Sequence, residues 1–533
     1  MGQFDPRRKA LAIPRRSMEP IWEHMRSRTF FMRRFGPNYR KGQLREDVFC
    51  CFVDFKKAFD TVSRDKLWHR MEELGISAHL RAAIHRLSEE VKVKIRTPDG
   101  ISTSFRSDIG VKQGCPLSPT LIGLYIDKLE EWLNMQNGDG IQLGEFVIRL
   151  LLYVDDLILL ANSALVLQEH LFALERFCNI VGMQVNISKT KIMVFSSRRK
   201  QEQHKFYFEG SILEEVADYK YLGIDFNKIL SWEGCRKKRT LGGWKALYAL
   251  QNRCREAELW DWKTIQTLFR LLVLPIILYG CEVWVSNTLD SQWKQIERIQ
   301  KRLITSKFKI KNTVSYDIML SETGAAPIEV AAMVRLISYL KRTEQMGEDR
   351  WPKVVVNDTL CKRKKTWMKQ NIKWLKKWDI YLNSCPTNNK EIKFFVMEKF
   401  YKKNWSIGLG RKKQYYINEF NPNYDHLQKV YIGANISWKA KILIAQLRTN
   451  SHQLRCETGR WKRPKEIWEE RVCPFCVSGS VETEKHFILE CEALKVSREK
   501  FVAYFLTAST WYNLFSEEHI VKMGALIISL NKQ

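Results

Sequence analysis

The first clear hydrophobic pattern in the chain predicts a buried strand that leads into a helix. Residues 48–54, VFCCFVD, form a short run of β-branched and aromatic residues that ends in a carboxylate, which is typical of a buried strand. Leu67, Met71 and Leu74 follow at helical spacing, and Gly75 marks the end of that helix.

Helices and hairpins alternate in the next part of the chain. A helix is predicted near residues 78–87. Residues 91–105 form two strand-like halves around a Pro-Asp-Gly turn sequence, and the glycine-rich segment at 110–119 opens a helix over residues 120–135. The pattern therefore predicts a mixed α+β fold.

Two acidic residues lie inside the next strand pattern. Asp155 and Asp156 stand between the apolar runs 147–154 and 157–161, which predicts a tight hairpin with both carboxylates at or beside its turn. Aspartate is common in turns, so this pair alone says little. Asp54 also ends a buried strand, however, and buried carboxylates are costly without a cation. Two such strand ends side by side are expected to hold divalent metal.

This arrangement suits phosphoryl transfer by two metal ions. Carboxylates on adjacent strands hold two ions about 3.5–4 Å apart, one for the attacking 3′-hydroxyl and one for the pyrophosphate leaving group. Hard oxygen ligands favour Mg²⁺, so the expected catalytic cofactor is a pair of Mg²⁺ ions.

The C-terminal half of the chain is basic and helical in its pattern. Residues 231–257 and 296–311 combine helical spacing with many Lys and Arg. Trp367, Trp374 and Trp378 fall on one side of a further helix. We expect this tryptophan face to pack in a core. Stacking on unpaired bases and lying on a membrane surface are the alternatives.

Charge and composition indicate a polyanionic partner. The 533 residues include 88 Lys+Arg and 59 Asp+Glu, a net charge of +29, enough chain for about two to four domains. Nucleic acid is the first expected partner and an anionic membrane surface the second. Residues 1–45 are especially basic and are broken by prolines, which is typical of a basic arm or of a remnant of a domain.

The cysteines indicate a reducing compartment. Thirteen cysteines are spread unevenly, and the adjacent pair Cys50 and Cys51 is unusual for a disulfide framework. The N-terminus is too charged for a signal-peptide core, and the longest apolar stretch, residues 271–279, is half a membrane span. We expect an intracellular protein, cytoplasmic and nuclear, that is neither secreted nor inserted in a membrane.

A metal-ligand pattern lies near the C-terminus. Cys473, Cys476, His486 and Cys491 form C-x2-C-x9-H-x4-C, a set that can close a tetrahedral site suited to structural Zn²⁺. The alternative is a group of buried cysteines that bind no metal.

Five sequence blocks carry a family resemblance. They are FVDFKKAFD (52–60), GVKQGCPLSPTLIGLYID (110–127), YVDD (153–156), GMQVNISKTKIMVF (182–195) and YKYLGI (219–224). In this order and spacing they resemble the successive motifs of LINE-type (non-LTR) retrotransposon reverse transcriptases of the ORF2 kind. The Cys/His pattern also resembles the cluster that follows the reverse transcriptase in such proteins.

The resemblance implies a right-hand polymerase of the α+β class. Its parts are a palm with an antiparallel sheet and helices, a helical thumb and a small C-terminal zinc-knuckle-like module. The expected boundaries are 1–45 for a basic arm or residual fingers, 46–228 for the palm with partial fingers, 229–330 for the thumb, 331–460 for a basic helical connection, 461–500 for the Cys/His zinc module and 501–533 for a tail.

The resemblance also assigns catalytic roles. Asp54 and Asp155 would ligate both Mg²⁺ ions, with Asp156 in support. Phe59 stands where the family places the aromatic that crowds the sugar 2′ position; a core phenylalanine is the alternative. Lys189 matches a lysine that protonates or neutralises the leaving pyrophosphate; a solvated lysine is the alternative.

Two further segments have implied roles in binding. Gln113 and Gly114 fall in the loop that approaches the nucleotide and template, where glycine permits close backbone approach. The segment at 219–224 resembles the hairpin that grips the primer end. Its implied residues are Tyr219, Tyr221, Leu222 and Gly223.

The expected function is RNA-directed DNA polymerisation for a mobile element. Its partners would be template RNA, primer or target DNA and deoxynucleoside triphosphates, with no membrane. Fewer residues precede Asp54 than in complete members of the family, so we expect an N-terminally truncated copy whose activity stays open. The alternatives are a catalytically silent nucleic-acid-binding remnant and an enzyme like those of group II introns or telomerase.

Overall fold

The computed structural model describes residues 47–89, 91–135, 140–143, 146–196, 204–229, 231–348, 350–361, 366–406, 411–420, 435–501, 511, 513–515 and 519–531. The basic segment 1–45 lies outside them. The chain divides into two compact units, Met1–Cys235 with Arg342–Asn371, and Arg236–Lys341 with Ile372–Gln533. The domain boundaries expected from the sequence stay predictions.

The first unit contains the strands. They are β1 Val48–Val53, β2 Lys92–Val93, β3 Arg96–Thr97, β4 Gly100–Ile101, β5 Phe105–Arg106, β6 Ile141–Leu143, β7 Phe146–Ile148, β8 Leu150–Tyr153, β9 Asp156–Ala161, β10 Lys191–Phe195, β11 Phe206–Phe208, β12 Ser211–Glu215, β13 Asp218–Tyr221 and β14 Ile224–Asn227. Six of them form one sheet in the order β11-β12-β10-β1-β9-β8. Its neighbours are antiparallel except for the parallel pair of β10 and β12.

Helices of the first unit cover the sheet. Up to residue 181 they are α1 Ala58–Thr61, α2 Arg64–Glu73, α3 Ala78–Glu89, α4 Ser118–Ile126, α5 Lys128–Met135 and α6 Ala164–Val181. With one face of the sheet they enclose a core cluster that includes Leu67, Leu121, Leu171 and Phe177. The predicted mixed α+β class of this part of the chain is confirmed.

Strand β1 is buried on both faces. On one face, Phe49, Cys51 and Val53 belong to the core cluster. On the other face, the ring of Phe52 stacks on that of Tyr219 with their centroids 4.3 Å apart. A strand covered on both sides has no solvent-facing positions, which explains its continuous apolar sequence.

The local predictions hold with two corrections. The predicted hairpin is confirmed, since β3 pairs with β4 and β2 with β5. The single helix expected over residues 120–135 is wrong: it is two helices, α4 and α5, interrupted at Asp127. There the Glu130 N–H donates to the Asp127 carbonyl three residues earlier (3.1 Å), a tighter turn than the α-helix has. The apolar run 147–154 is likewise two strands, β7 and β8.

The helices after residue 232 build most of the second unit, although the stretch Arg342–Asn371 among them belongs to the first unit. They are α7 Glu233–Glu256, α8 Trp262–Leu268, α9 Leu274–Ile277, α10 Cys281–Trp284, α11 Asp290–Phe308, α12 Tyr316–Thr323, α13 Ile328–Glu344, α14 Trp351–Cys361, α15 Trp367–Lys376, α16 Asn389–Ser406, α17 Arg411–Phe420, α18 Trp438–Arg448, α19 Arg455–Thr458, α20 Lys495–Glu499 and α21 Ile520–Leu530. Helix α7 approaches α9 closely at Gly243, where a Cβ would lie 2.5 Å from Ile277 Cγ1.

The tryptophan face around α15 packs inside the protein, as predicted. Trp367 is fully buried and Trp374 is buried. Within the second unit Trp374 stacks against Trp293, and Trp378 stacks against Phe400.

One bent pair of helices has, taken together, the length and apolar composition of a membrane span. Among the described residues no single helix has the length and apolar character to cross a bilayer. The segments Trp262–Ile277 and Cys281–Asn287 meet these criteria together, with a bend of 56° between them.

Candidate active site

Strand register places the first aspartate beside the acidic hairpin. Val53 of β1 is opposite Leu157 of β9, so the next position, Asp54, falls opposite Asp156 in an antiparallel pair. In the same period-two pattern Asp54 shares its face with Phe52, away from the core cluster. Asp54 and the adjacent pair Asp155 and Asp156, which are distant from Asp54 in sequence, therefore lie at one end of β1 and β9.

The turn that carries Asp155 has a strained backbone. Tyr153 pairs with Asp156, and Val154 and Asp155 form the two-residue connection. Val154 has φ +57, a left-handed conformation that is unusual for a β-branched residue. Such outliers persist only where the surrounding structure enforces them. Here the close pairing of β8 with β9 fixes the direction in which Asp155 projects.

Electrostatics show that the three carboxylates influence one another. The pKa of Asp156 is raised from 3.8 to about 6, first by the loss of surrounding water and then by the charges of Asp155 and Asp54. The pKa of Asp155 is also raised, mainly by burial and further by Asp54. Asp156 nevertheless keeps solvent access, and Asp155 is half-buried. The site thus concentrates negative charge that protein cations only partly neutralise.

The segment 184–190 is attached to the backbone on both sides of Asp54. The Asn186 N–H donates to the Asp54 carbonyl (2.7 Å), and the Asp54 N–H donates to Thr190 Oγ1 (3.2 Å). This fold brings Lys189 to the site, with its Nζ 3.8 Å from Asp54 Oδ2. The sequence pattern gave no indication of the tethers at Asn186 and Thr190, because they depend on a strand pairing across more than a hundred residues.

A second loop is fixed to the helix that carries Phe59. Phe59 is half-buried against the core cluster, and its carbonyl accepts the Val111 N–H (2.7 Å). Gly110 has φ +80, and a Cβ there would lie 2.8 Å from the Phe59 oxygen, so only glycine fits. Gln113 and Gly114 follow in the same loop and are exposed. The structure therefore joins Phe59 to the loop of Gln113 and Gly114.

The hairpin of β13 and β14 covers the sheet beside the aspartates. Leu222 and Gly223 form its two-residue turn with φ +45 and +74, the signs of a type I′ turn. The Tyr221 hydroxyl donates to the Asp156 carbonyl (3.4 Å). The pKa of Tyr219 is raised to about 12 by burial and then by Asp156 and Asp54. Both tyrosines therefore lie next to the acidic site.

Comparison with known proteins agrees with this geometry. Residues 16–226 match the family described as reverse transcriptase (RNA-dependent DNA polymerase). They contain all three aspartates and the tyrosine hairpin up to Phe226.

Residues 16–226 are similar to a reverse transcriptase domain.

Known proteins similar to this chain come from retrotransposons. The chain is 30% identical over 274 residues to the retrovirus-related Pol polyprotein from type-1 retrotransposable element R2 of Popillia japonica, covering 50% of this chain and 37% of that protein. It is 28% identical over 189 residues to the RNA-directed DNA polymerase from mobile element jockey of Drosophila funebris, covering 34% and 20%. The predicted resemblance to LINE-type, non-LTR reverse transcriptases is confirmed. The chain spans only 37% and 20% of these relatives' own length.

A solved structure gives a weaker likeness. Telomerase from Candida albicans in complex with a TWJ fragment of telomeric RNA aligns with 70% of this chain and 52% of its own, at 14% identity and a TM-score of 0.31. A score this low adds nothing to the assignment.

The Cys/His pattern lies beyond the reverse transcriptase domain, in the second unit. The structure brings Cys473, Cys476, His486 and Cys491 together, with all four ligand atoms within 4.8 Å of one another. The Cys473 and Cys491 sulfurs are 3.8 Å apart, and Cys476 Sγ is 3.4 Å from His486 Nε2. A π-helical turn spans His486–Glu490, and the Cys491 N–H donates to the His486 carbonyl (2.8 Å). This turn brings both His486 and Cys491, which four residues separate in the sequence, to the cluster.

A second group of potential ligands was missed by the sequence pattern. His452, Cys456 and Glu484 are buried and also lie within 4.8 Å of one another. His452 Nε2 is only 2.7 Å from Glu484 Oε1, whereas N and O ligands of one tetrahedral zinc are about 3.4 Å apart. The Leu454 N–H approaches Nδ1 (3.3 Å), which leaves the ring proton on Nε2. This group is a hydrogen-bonded His–Glu pair.

Proposed function

We propose that the first unit adds deoxynucleotides to a primer 3′-end under the direction of template RNA. The observation that carries this proposal is the convergence of Asp54, Asp155 and Asp156 at one end of two paired strands. The reverse transcriptase family match over residues 16–226 supports the reaction class. The net charge of +29 supports binding of RNA and DNA.

The three aspartates suit Mg²⁺. Their oxygens are hard ligands. Burial and, after it, the neighbouring carboxylates raise the pKa of Asp155 and Asp156, a destabilisation of the charged forms that a bound cation would relieve. We propose that Asp54 and Asp155 hold two ions and that Asp156 supports them. Bound Mg²⁺ supplies activation of the 3′-hydroxyl and charge neutralisation at the leaving pyrophosphate.

The surrounding residues are proposed to bind and orient the substrates. Phe59 limits the space at the sugar 2′ position and so favours deoxynucleotides over ribonucleotides. Gln113 and Gly114 contact the incoming nucleotide and the template, and Lys189 receives the charge of the leaving pyrophosphate. Tyr219, Tyr221, Leu222 and Gly223 hold the primer end.

The Cys/His cluster is proposed to bind one structural Zn²⁺. In a tetrahedral site two sulfurs are about 3.8 Å apart and a sulfur and a nitrogen about 3.6 Å apart. The separations at Cys473–Cys491 and Cys476–His486 are 3.8 and 3.4 Å, close to these values. The donor set of three thiols and one imidazole is one that zinc favours over Mg²⁺.

A primer-extension assay tests the polymerase proposal. The full chain is incubated with poly(rA)/oligo(dT), dTTP and Mg²⁺, and extension is compared with that of Asp155→Asn. We expect extension by the native chain and a loss of about a hundred- to a thousandfold in the variant, the scale on which a main electrostatic group contributes. Asp65→Asn, on the exposed surface of α2, is the matched control and should extend normally.

The same assay distinguishes the proposed polymerase from the alternative of a catalytically silent nucleic-acid-binding protein. A native chain that binds the primer–template but does not extend it would favour a nucleic-acid-binding remnant. Extension that persists in Asp155→Asn would contradict the proposed metal ligands.

A further inference from the structure

Asp54 differs from the other two aspartates in having a lysine beside it. Lys189 Nζ is 3.8 Å from Asp54 Oδ2, and the lysine side chain is 68% exposed. Among the described residues no ion pair involves Asp155 or Asp156. Of the ion pairs within the described part of the chain, the one at the three aspartates therefore joins Lys189 to the carboxylate that ends β1.

The backbone keeps this lysine at Asp54. The segment 184–190 receives or donates hydrogen bonds at Asp54 and at Lys56, where the Lys56 N–H donates to the Gln184 carbonyl (2.7 Å). Thr190, which accepts the Asp54 N–H, is itself buried. The turn that carries Lys189 is hydrogen-bonded on both sides of Asp54, so the backbone holds the lysine Cα close to Asp54. The long, exposed side chain can still change its rotamer.

A lysine is well suited to a contact that must be broken. Its ammonium group is a point charge on a flexible stem, and an exposed ion pair of this kind contributes only about 0–1 kcal/mol. Divalent ions bind carboxylates through direct oxygen ligation. A metal ion can therefore displace the lysine from Asp54 at small cost.

We propose that Lys189 is an exchangeable counter-ion of Asp54, which neutralises this carboxylate until a divalent ion takes its place. This inference rests on the proposed function, since the divalent ion is the Mg²⁺ assigned above to Asp54 and Asp155. The lysine and the metal compete for one carboxylate. Metal binding then releases the ammonium group within reach of an anionic substrate.

If Lys189 and the metal ion compete for Asp54, one substitution should change metal binding and primer extension in opposite directions. Lys189→Met keeps the length of the side chain and removes its charge. Mn²⁺ binding by the full chain without nucleic acid, followed from the electron paramagnetic resonance of free Mn²⁺, should become about threefold tighter, within the range of an exposed ion pair. Primer extension should fall in the same variant. Lys189→Arg keeps the charge and should bind Mn²⁺ like the native chain.

Controls separate competition from misfolding. Lys205→Met removes another exposed lysine of the first unit and should change neither Mn²⁺ affinity nor extension. Thermal unfolding of each variant reports its folding, and Lys189→Gln replaces Lys189→Met if that variant does not fold.

Two failures are distinguishable. If the native chain binds Mn²⁺ and extends primers, but Lys189→Met binds Mn²⁺ equally or more weakly, the counter-ion inference is overturned alone. If the native chain does not bind Mn²⁺ more tightly than Asp155→Asn does, the proposed metal site fails and the inference fails with it.

Discussion

The aspartate site of the first unit and the Cys/His cluster of the second unit are held together in different ways. The four ligand atoms of the Cys/His cluster lie within 4.8 Å of one another, whereas the oxygens of the three aspartates do not form so tight a group. Thiols and imidazole can carry protons and hydrogen-bond to each other, but carboxylates at neutral pH repel. Strand register and backbone tethers therefore set the aspartate geometry, and ligand contacts set that of the cluster.

The largest expected effect is on the cluster that depends on its ligands. Cys476→Ala should remove all zinc from the chain and unfold the segment around residues 472–491, because metal binding to such a segment is coupled to its folding. Zinc content and amide hydrogen exchange of that segment are the measurements.

The second group of potential ligands provides a matched control. Cys456→Ala alters the His–Glu group and should leave the zinc content unchanged. Zinc lost from Cys456→Ala, or retained by Cys476→Ala, would reverse the assignment of the two groups.

The loop beside the aspartate site should instead be sensitive to substitution of glycines that are not metal ligands. Gly110→Ala places a Cβ 2.8 Å from the Phe59 carbonyl at φ +80, which should cost about 2–4 kcal/mol of unfolding free energy and displace the loop of Gln113. Denaturant unfolding measures the loss. Gly114→Ala has φ +84 but no atom within 4 Å of the added Cβ, so strain alone should cost about 1–2 kcal/mol. Equal losses in the two variants would contradict the close contact.

Burial of Asp156, together with repulsion from Asp155 and Asp54, predicts a pH dependence for the metal-free protein. Because the folded-state pKa of Asp156 is raised from 3.8 to about 6, the folded chain binds this proton more tightly than the unfolded chain. The resulting stability is present below pH 3.8 and is lost as pH rises through about 6. Solvent exposure of Asp156 limits the effect to less than about 1 kcal/mol.

Thermal unfolding in EDTA tests the predicted loss of stability with rising pH. Between pH 4.5 and 8, Asp156→Asn should become progressively more stable relative to the native chain. A difference that stays constant with pH would show that neither burial nor the neighbouring carboxylates destabilise the charged form of Asp156.

The smallest expected effect concerns the tyrosine hairpin. Tyr221→Phe removes the hydroxyl that donates to the Asp156 carbonyl (3.4 Å) and keeps the ring that faces Phe52. Losing one such hydrogen bond should lower the extension rate by about two- to fivefold. Tyr207→Phe, at an exposed position of β11, should not change the rate. An unchanged rate in Tyr221→Phe would mean that the hairpin does not help to position Asp156.

Local sequence patterns were sufficient for the elements that carry the aspartates. The apolar run of β1 and the two runs around Asp155 predicted strands, and the structure has them, with the first of the two runs divided into β7 and β8. The sequence motifs also identified the retrotransposon family. These signals are local or recurrent, so they need no knowledge of how distant segments pair.

Those local patterns could not predict which distant segments of the chain pair with one another. The central position of β1, between β9 and β10, depends on contacts across more than a hundred residues. The tethers at Asn186 and Thr190 follow from the same pairing. The His452–Glu484 pair gave no signal because its members lie on separate segments, and a lone buried histidine has no spacing that distinguishes it. The break at Asp127 was missed because both helices have apolar spacing.

The central claim is that Asp54, Asp155 and Asp156 share divalent ions. Crystals of the full chain soaked in Mn²⁺ and measured at the manganese absorption edge test it most directly. We expect anomalous difference peaks that contact Asp54 and Asp155 and disappear in Asp155→Asn. Peaks confined to other residues, or no peak at these carboxylates at saturating Mn²⁺, would contradict the account.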